Sequence, residues 1–446
     1  MTPPRLPVRL LLAALATACT LPATAQNLVT LYESARAHDA TYLSAKAQYD
    51  ANLFRAAQAK ANVLPSANLT AGVTRVDQEV RLANGQGGNG QYTGRSASVG
   101  VSQPLYRPAN VALYRQGLKG VDAAEAQLQV AEQDLLVRVS QAYFDVLAAQ
   151  DSLLFVRAQK TATNEQLAFA KRNFEVGTST ITDSREAQAR FDLVLAQEIA
   201  AENDLRVRKI ALDTLTGTPN ASPKPLALPA TLPALLPDSP DTWVQQAEAA
   251  HPNIRLAQTA LDVAQLETQR AEAGHKPTLD LVANYNQSNN PNSSSGTSAL
   301  GTRVNTGTVG VNFNLPLFAG FATQNRIRET LSLEEKAQSD LQAARRSVEL
   351  ATRTAFFGVQ SGTGQVKALE AAEVSTQSAL DANKLGYQVG VRINIDVLNS
   401  QSQLFQTKRD LARARYDVLV NGLRLRQASG TLQPADLQTV NGLLAN

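Results

Sequence analysis

The sequence predicts a mainly α-helical protein that also contains two β-hairpins and consists of two similar halves. Two segments with the same pattern, Phe174–Asp183 and Tyr387–Asp396, each contain a Val-Gly turn and lie 213 residues apart. Long segments without interior glycine or proline predict helices, and segments in which polar and apolar residues alternate predict strands. A repeat of this length indicates two equivalent structural halves rather than a solenoid of short repeats.

The first 25 residues have the pattern of a secretory signal peptide. Arg5 and Arg9 precede the apolar run 10–18, and Ala23-Thr24-Ala25 is a small-x-small cleavage site. The single cysteine of the chain, Cys19, lies in this segment, and a lipoprotein-type cleavage before it lacks the usual leucine three residues upstream. We therefore expect a secreted mature chain without disulfides, whose stability comes from packing and assembly.

The first half, residues 26–216, predicts a helix, a hairpin and two further helices. Apolar residues alternate with polar ones on both sides of a glycine-rich segment, which predicts a β-hairpin at about 66–106 with a long loop. Beyond it, apolar residues recur every seven positions, as in Leu128, Leu135 and Ala142, which is typical of coiled-coil packing. The expected helices are 27–64, 108–176 and 182–215, and the expected loop is 83–90.

The second half, residues 241–446, repeats this plan after a linker. The linker, residues 217–240, holds seven prolines, and such a composition predicts an extended chain. The second β-hairpin is expected at about 278–316, with its loop at 288–301. The expected helices are 242–273, 322–387 and a last helix that ends near 429.

The composition supports long helices and limits the possible partners. The chain is 43% hydrophobic but only 5% aromatic, and much of the apolar content is alanine, which is typical of long helices rather than of several globular cores. The formal net charge is only +3, which indicates neither nucleic acid nor an acidic substrate as a partner. We therefore expect no nucleic-acid partner.

Each predicted strand has the length and alternation of a transmembrane β-strand. Four strands cannot close a spanning barrel, and open strand edges are not tolerated in lipid, so copies of the chain would have to pool their strands. A soluble antiparallel sheet packed on a helix is the alternative. The long helices would extend about 100 Å from the hairpins, and the two shorter helices of each half together match the long one. The predicted fold is thus an α-helical coiled-coil barrel that continues a transmembrane β-barrel with four strands per protomer.

The whole mature chain resembles the TolC family of outer-membrane channel proteins. The resemblance rests on the two-half plan, on Pro104-Leu105-Tyr106 and Pro316-Leu317-Phe318 at the ends of the hairpins, and on the two turn segments 176–183 and 386–398. It implies a homotrimer with its β-barrel in the outer membrane and its helices in the periplasm. It also implies partners, namely a periplasmic adaptor protein and an inner-membrane pump or ABC exporter.

The resemblance also assigns roles to residues near the two Val-Gly turns. The turns themselves would dock the adaptor, and polar residues beside them would form a periplasmic gate. Asp396 matches the first of two aspartates that line the closed pore in well-known relatives, but the second position is Asn399, so we expect one acidic ring and a weaker preference for cations. The docking residues are Val176, Gly177, Val389 and Gly390, and the gate residues are Thr182, Asp183, Tyr387, Arg392, Asp396 and Asn399.

The expected function is a passive exit duct for tripartite efflux or type I secretion. A non-transporting coiled-coil spacer anchored in the outer membrane is the alternative, and the sequence leaves the cargo open. The three histidines, His38, His251 and His275, have no metal-ligand spacing, and no phosphate-binding loop or nucleophile motif is present. We therefore expect no enzymatic activity, no metal and no cofactor.

Overall fold

The computed structural model describes residues 26–81, 87–227, 233, 235–291 and 301–445, which form two compact units. The first unit comprises residues up to Ser44, Val130–His251 and Val348–Asn446, and the second comprises Ala45–Gln129 and Pro252–Ser347. The predicted signal peptide, the centres of both hairpin loops and part of the proline-rich linker lie outside the described residues.

The order of helices and strands is nearly the same in the two halves of the sequence. Among the described residues, no helix is both long and apolar enough to cross a membrane. The elements of the first half are α1 (Leu28–His38), α2 (Ala40–Ala61), β1 (Ser66–Arg81), β2 (Gly87–Tyr106), α3 (Pro108–Glu175) and α4 (Ile181–Thr216). Those of the second half are α5 (Pro240–Ala250), α6 (Pro252–Glu272), β3 (Thr278–Asn290), β4 (Thr302–Asn314), α7 (Ala322–Gln388), α8 (Asn394–Ala428) and α9 (Pro434–Asn441).

The first helix of each half is broken, whereas the sequence predicted a single helix from 27 to 64 and another from 242 to 273. The breaks fall at Asp39 and His251, whose backbones are extended and which lie 212 residues apart. Asp39 Oδ1 accepts a hydrogen bond from the backbone N–H of Tyr42 at 2.8 Å, and the Asp39 carboxylate pairs with both terminal nitrogens of Arg138 at 2.9 and 3.1 Å. The break therefore starts a new helix and satisfies a buried carboxylate.

Three other features differ from the sequence prediction. The strands of the first hairpin, expected to have about 10 to 13 residues each, have 16 and 20 residues, because the backbone of residues 87–90, part of the expected loop, pairs with that of residues 78–81. The linker was expected to reach residue 240, but α5 begins at Pro240, because proline is favoured at the first helical position. The short helix α9 was not predicted.

The four strands form one antiparallel sheet in the order β1-β2-β3-β4. The two hairpins are joined through β2 and β3, which come from different halves of the chain. Because side chains alternate between the faces of a strand, the register places apolar residues in rows on one face and polar residues in rows on the other. One apolar row contains Ala67, Val101, Ala283 and Val309, and one polar row contains Thr70, Ser98, Asn286 and Thr306.

An ion pair links the end of the first hairpin to the second hairpin. Arg107 follows β2 directly, and its Nε and Nη2 donate to the two carboxylate oxygens of Asp280 on β3 at 2.7 and 2.6 Å. Asp280 is buried. Because this geometry is bidentate, it fixes direction as well as distance, and it holds the two hairpins in register where the strands end.

The core of the first unit is built around three aromatic side chains. Tyr143 and Phe144 of α3 are fully buried; their rings meet edge to face at 5.4 Å, and Phe144 stacks on Tyr416 of α8 at 5.6 Å. The Tyr416 hydroxyl donates to Asp151 at 2.6 Å. Burial raises the pKa of Asp151, and the hydrogen bond from Tyr416 opposes this effect. The buried aromatic rings therefore pack α3 against α8, and the buried hydroxyl of Tyr416 keeps a hydrogen-bond partner.

The first part of the linker, residues 223–226, is attached to this core. The backbone of Gln26 pairs with that of Pro223, and the backbone of Leu226 pairs with that of Leu444. The Tyr143 hydroxyl donates to the carbonyl oxygen of Lys224 at 2.9 Å. The linker therefore connects both ends of the described chain to α3.

Candidate functional site

The two Val-Gly turns have the same backbone structure. Gly177 and Gly390 adopt left-handed conformations, with φ of 76° and 80°. In the first turn, the N–H of Gly177 donates to Phe174 and that of Thr178 donates to Asn173. The second turn has the same two bonds, displaced by 213 residues. Both turns are Schellman caps, in which glycine is favoured because it has no side chain to resist a positive φ.

Both turns expose apolar side chains to solvent. Val176 is 73% exposed and Val391 is 75% exposed. An added Cβ on Gly177 or Gly390 would meet no atom within 4 Å, so the backbone there is open to approach. Clustered exposed apolar residues are typical of a surface that binds a partner. The other large apolar residues exposed at the turns are Phe174, Ile181, Val389 and Ile393.

The two turns lie side by side in the first unit. Asn394, the first residue of α8, is fully buried between them. Its Oδ1 accepts a hydrogen bond from Gln166 of α3, and its Nδ2 donates to the carbonyl oxygen of Asp183 at 3.4 Å. The rings of Phe169 and Tyr387 meet edge to face at 5.9 Å. The sequence analysis missed both residues. A polar residue at the start of a helix, such as Asn394, is typical of a helix cap, and Gln166 lies inside α3 without a motif around it.

Asp183 belongs to the capping box that starts α4. Asp183 and Glu186 have the sequence spacing of a capping box with Asp183 as its N-cap, but in the structure the N-cap is Thr180 and Asp183 occupies the third helical position. Thr180 Oγ1 accepts from the backbone N–H of Asp183 at 3.2 Å. Asp183 Oδ2 accepts from the Thr180 backbone N–H, the Thr180 hydroxyl and the Ser179 hydroxyl at 3.1, 3.0 and 2.8 Å. Thr180 and Asp183 therefore each accept a hydrogen bond from the backbone N–H of the other, which is the reciprocal pattern of a capping box.

These contacts lower the pKa of Asp183. Desolvation alone would raise the pKa, but the hydrogen bonds from Ser179 and Thr180 favour the ionised form and outweigh it. Because the pKa is lower in the folded state, the ionised carboxylate stabilises the fold above its ordinary pKa of 3.8. That stabilisation is lost as the pH falls from 3.8 through the lowered pKa.

We expect Asp183→Asn to destabilise the protein at pH 7 by about 1 kcal/mol, because it removes a charge-assisted acceptor. Below the lowered pKa of Asp183 the variant and the wild type should be equally stable, since both side chains are then neutral. Urea unfolding in detergent at the two pH values measures the difference. Thr180→Ala is the control: it removes the hydroxyl donated to the Asp183 carboxylate, which titrates, and the acceptor for the Asp183 N–H, which does not, so part of its penalty should persist at low pH. An Asp183→Asn penalty that does not change with pH would contradict this explanation.

The other predicted gate residues are not all brought together in one protomer. Arg392 Nη1 lies 3.7 Å from Asp396 Oδ2, and Tyr387 packs against the cluster of Leu380, Val397 and Leu404. Thr182 is exposed. Among the described residues, no hydrogen bond joins Tyr387, Thr182 or Asp183 to Arg392.

Asn399, the residue that replaces the second aspartate, has a cationic partner. Its Oδ1 accepts a hydrogen bond from Arg190 Nη2 of α4 at 2.6 Å. Arg190 was not predicted as a site residue, because it lies on a different helix, 209 residues away. Where the two-aspartate pattern has its second carboxylate, this chain therefore has the amide of Asn399 bound to the guanidinium of Arg190.

Comparisons with known proteins agree with this architecture. The sequence matches the outer membrane efflux protein family over residues 31–218 and 243–431. It is 35% identical to the outer membrane protein TolC of Vibrio cholerae over 94% of this chain and 93% of that protein. It is 32% identical to the alkaline protease secretion protein AprF of Pseudomonas aeruginosa over 78% of this chain and 72% of that protein.

The fold has a solved counterpart. The outer membrane protein VceC of Vibrio cholerae superposes with a TM-score of 0.77 at 19% identity, covering 90% of this chain and 96% of that one. The family match extends through both halves and includes both turns. The chain therefore belongs to the family of outer membrane efflux proteins.

Proposed function

We propose that the chain is an exit duct of the outer membrane that serves efflux or type I secretion. The observation that carries this function is the family match across both halves, with relatives that are named for an outer-membrane role and for protease secretion. The protein is an outer-membrane protein with a large helical part in the periplasm. Its family is one of transport channels and not of enzymes, and we propose no catalytic activity for this chain. A non-transporting spacer is not favoured.

The strands support assembly from several copies. In the described sheet β1 and β4 each have one neighbouring strand, so each leaves an edge of unpaired backbone groups. Such an edge in lipid costs several kcal/mol per unsatisfied group. Channels of this family form trimers, and we propose that this chain forms a homotrimer whose barrel pools strands, with the apolar face of the sheet toward lipid. The division into repeats 26–216 and 241–446, joined by the linker, remains our proposal.

The turns are proposed to dock a periplasmic adaptor that connects the duct to an inner-membrane pump or ABC exporter. The supporting observation is the exposure of Val176 and Val391 beside glycines that leave the backbone open. Burying an exposed valine side chain contributes about 1.5 kcal/mol or more. Repetition of the turns in each copy would multiply this contribution.

The polar residues near the turns are proposed to form the gate between protomers. All three donors to Asp183 go to Oδ2, so Oδ1 is left for a partner on another copy. Thr182 is exposed, and Tyr387 has a hydroxyl without a described hydrogen-bond partner. The Arg392–Asp396 pair is long and exposed, and such pairs contribute about 1 kcal/mol or less. A gate held by contacts of this strength can open.

Conductance in planar bilayers tests the duct and the gate together. We expect the wild-type trimer to conduct and Arg392→Ser to increase the open fraction, because it removes a link at the closed end. The control is Arg413→Ser on α8, where Arg413 and Asp417 form a similar exposed pair at 3.8 Å far from the turns. Absence of conductance in both wild type and Arg392→Ser would contradict the duct, and equal opening by Arg413→Ser would contradict the gate.

A further inference from the structure

A cavity of about 420 Å³ lies in the first unit near the gate residues. Helices α4 and α8 supply all of its lining residues except Gln159 of α3. Asn399, at the replaced aspartate position, is one of them. The changed gate position therefore forms part of the wall of this cavity.

The charge of this cavity is positive. Arg190 and Arg409 line it, and none of its described lining residues carries a carboxylate. Arg190 donates to Asn399, and Arg409 Nη2 donates to Gln406 Oε1 at 2.6 Å. Each guanidinium has five N–H donors, so both retain donors for another acceptor. In the described part of the chain, neither arginine forms an ion pair.

Arg409 is partly buried in this setting. Burial lowers the pKa of Arg409, and the neighbouring Asp410 opposes that effect. An arginine side chain stays protonated in proteins. Carboxylates such as Asp204 and Asp410 line the adjoining cavity of about 540 Å³, so the positive region is limited to the end near Asn399.

The amide oxygens of two glutamines that line the cavity lack hydrogen-bond partners among the described residues. Gln159 is only 4% exposed, and its Oε1 has no hydrogen-bond partner within the described residues. The Oε1 of Gln197, which also lines the cavity, is likewise buried without a partner. A buried polar atom without a partner is costly, so the site favours a ligand that can donate a hydrogen bond to these oxygens.

We propose that this cavity binds a small oxyanion that still carries a proton, of the hydrogen phosphate type. The charged oxygens would accept from Arg190 and Arg409, and the P–OH group would donate to Gln159 or Gln197. Charge-assisted bonds from guanidinium to phosphate are among the stronger hydrogen bonds in proteins. An anion bound beside Asn399 would place negative charge at this end of the protein in addition to the charge of Asp396. The site is independent of conduction, so its test does not require transport.

Isothermal titration calorimetry of the purified full-length protein in detergent, with inorganic phosphate as the probe, tests the site. We expect saturable binding by the wild type. Binding by the double variant Arg190→Gln/Arg409→Gln should be at least about tenfold weaker, because two charged donors are lost. Arg190→Lys/Arg409→Lys should retain most of the affinity, and this variant keeps the test valid if the glutamine variant does not assemble.

Two controls separate this site from a general effect of charge. Arg424→Gln removes an arginine of α8 that donates to Gln141 Oε1 at 3.0 Å but does not line the cavity, and it should bind phosphate as the wild type does. Sulfate, which carries no proton at neutral pH, should bind about tenfold more weakly than phosphate. No saturable binding by the wild type, or unchanged binding by the glutamine double variant, would overturn the site. Equal binding of sulfate would overturn the hydrogen phosphate assignment.

Discussion

The double substitution Val176→Asp/Val391→Asp is expected to reduce export at least about tenfold without unfolding the protein. The two side chains are 73% and 75% exposed, so the fold loses little when they become polar. A docked adaptor would bury them, and a buried aspartate without a partner is costly. Loss of apolar contact and the cost of desolvating two carboxylates therefore act in the same direction.

For the measurement, the variant gene replaces the chromosomal copy in the source organism. Two outputs are then followed: the retention of a dye such as ethidium by the cells, and the amount of secreted protein. The control is the double substitution Val374→Asp/Val207→Asp, since Val374 is 72% exposed and Val207 is also exposed, but both lie away from the turns, on α7 and α4. An equal loss of export in the control would point to a general effect of charge. Unchanged export in the turn variant would refute docking through these valines.

Gly430→Ala is expected to destabilise the protein by about 3 kcal/mol, more than an alanine at either turn. Gly430 has φ of 70°, which costs an alanine about 1 kcal/mol or more. An added Cβ would also lie 2.6 Å from the Cα of His251 and 3.0 Å from its backbone nitrogen. Backbone atoms cannot move aside as a flexible side chain can, so overpacking adds about 1–3 kcal/mol.

Gly390→Ala is the matched control for this prediction. Its φ of 80° is similar, but no atom lies within 4 Å of an added Cβ, so only the backbone term remains, at about 1 kcal/mol. Urea unfolding of both variants in detergent measures the difference. Equal destabilisation of the two variants would mean that the contact with His251 does not resist a side chain.

The sequence was informative where structure depends on local pattern. The turn glycines, the long helices and the pairing of each hairpin follow from spacing and alternation, and these features occur at nearly the predicted residues. The break at Asp39 could not be found in this way, because its partner Arg138 lies 99 residues away. An aspartate inside a run of helix-forming residues carries no local sign that it ends one helix and starts the next.

The same limit applies to the candidate site. Local motifs identified both turns and the polar residues beside them. Asn394 joins the turns through Gln166 and Asp183, which lie 228 and 211 residues away. Contacts between helices that are so distant in sequence depend on packing, and packing is not visible in a single sequence. The roles of the predicted gate residues remain predictions, since one protomer does not contain the contacts between copies.

The open edges of the four-stranded sheet have a genetic consequence. If the chain forms the proposed trimer and each barrel is completed only by strands from other copies, a chain with a damaged hairpin spoils every assembly that it enters. In a cell that makes normal and damaged chains in equal amounts, the share of intact trimers falls with the cube of the normal fraction. We therefore expect hairpin mutations in this protein to be dominant over the wild type, whereas mutations that unfold the chain before assembly should be recessive.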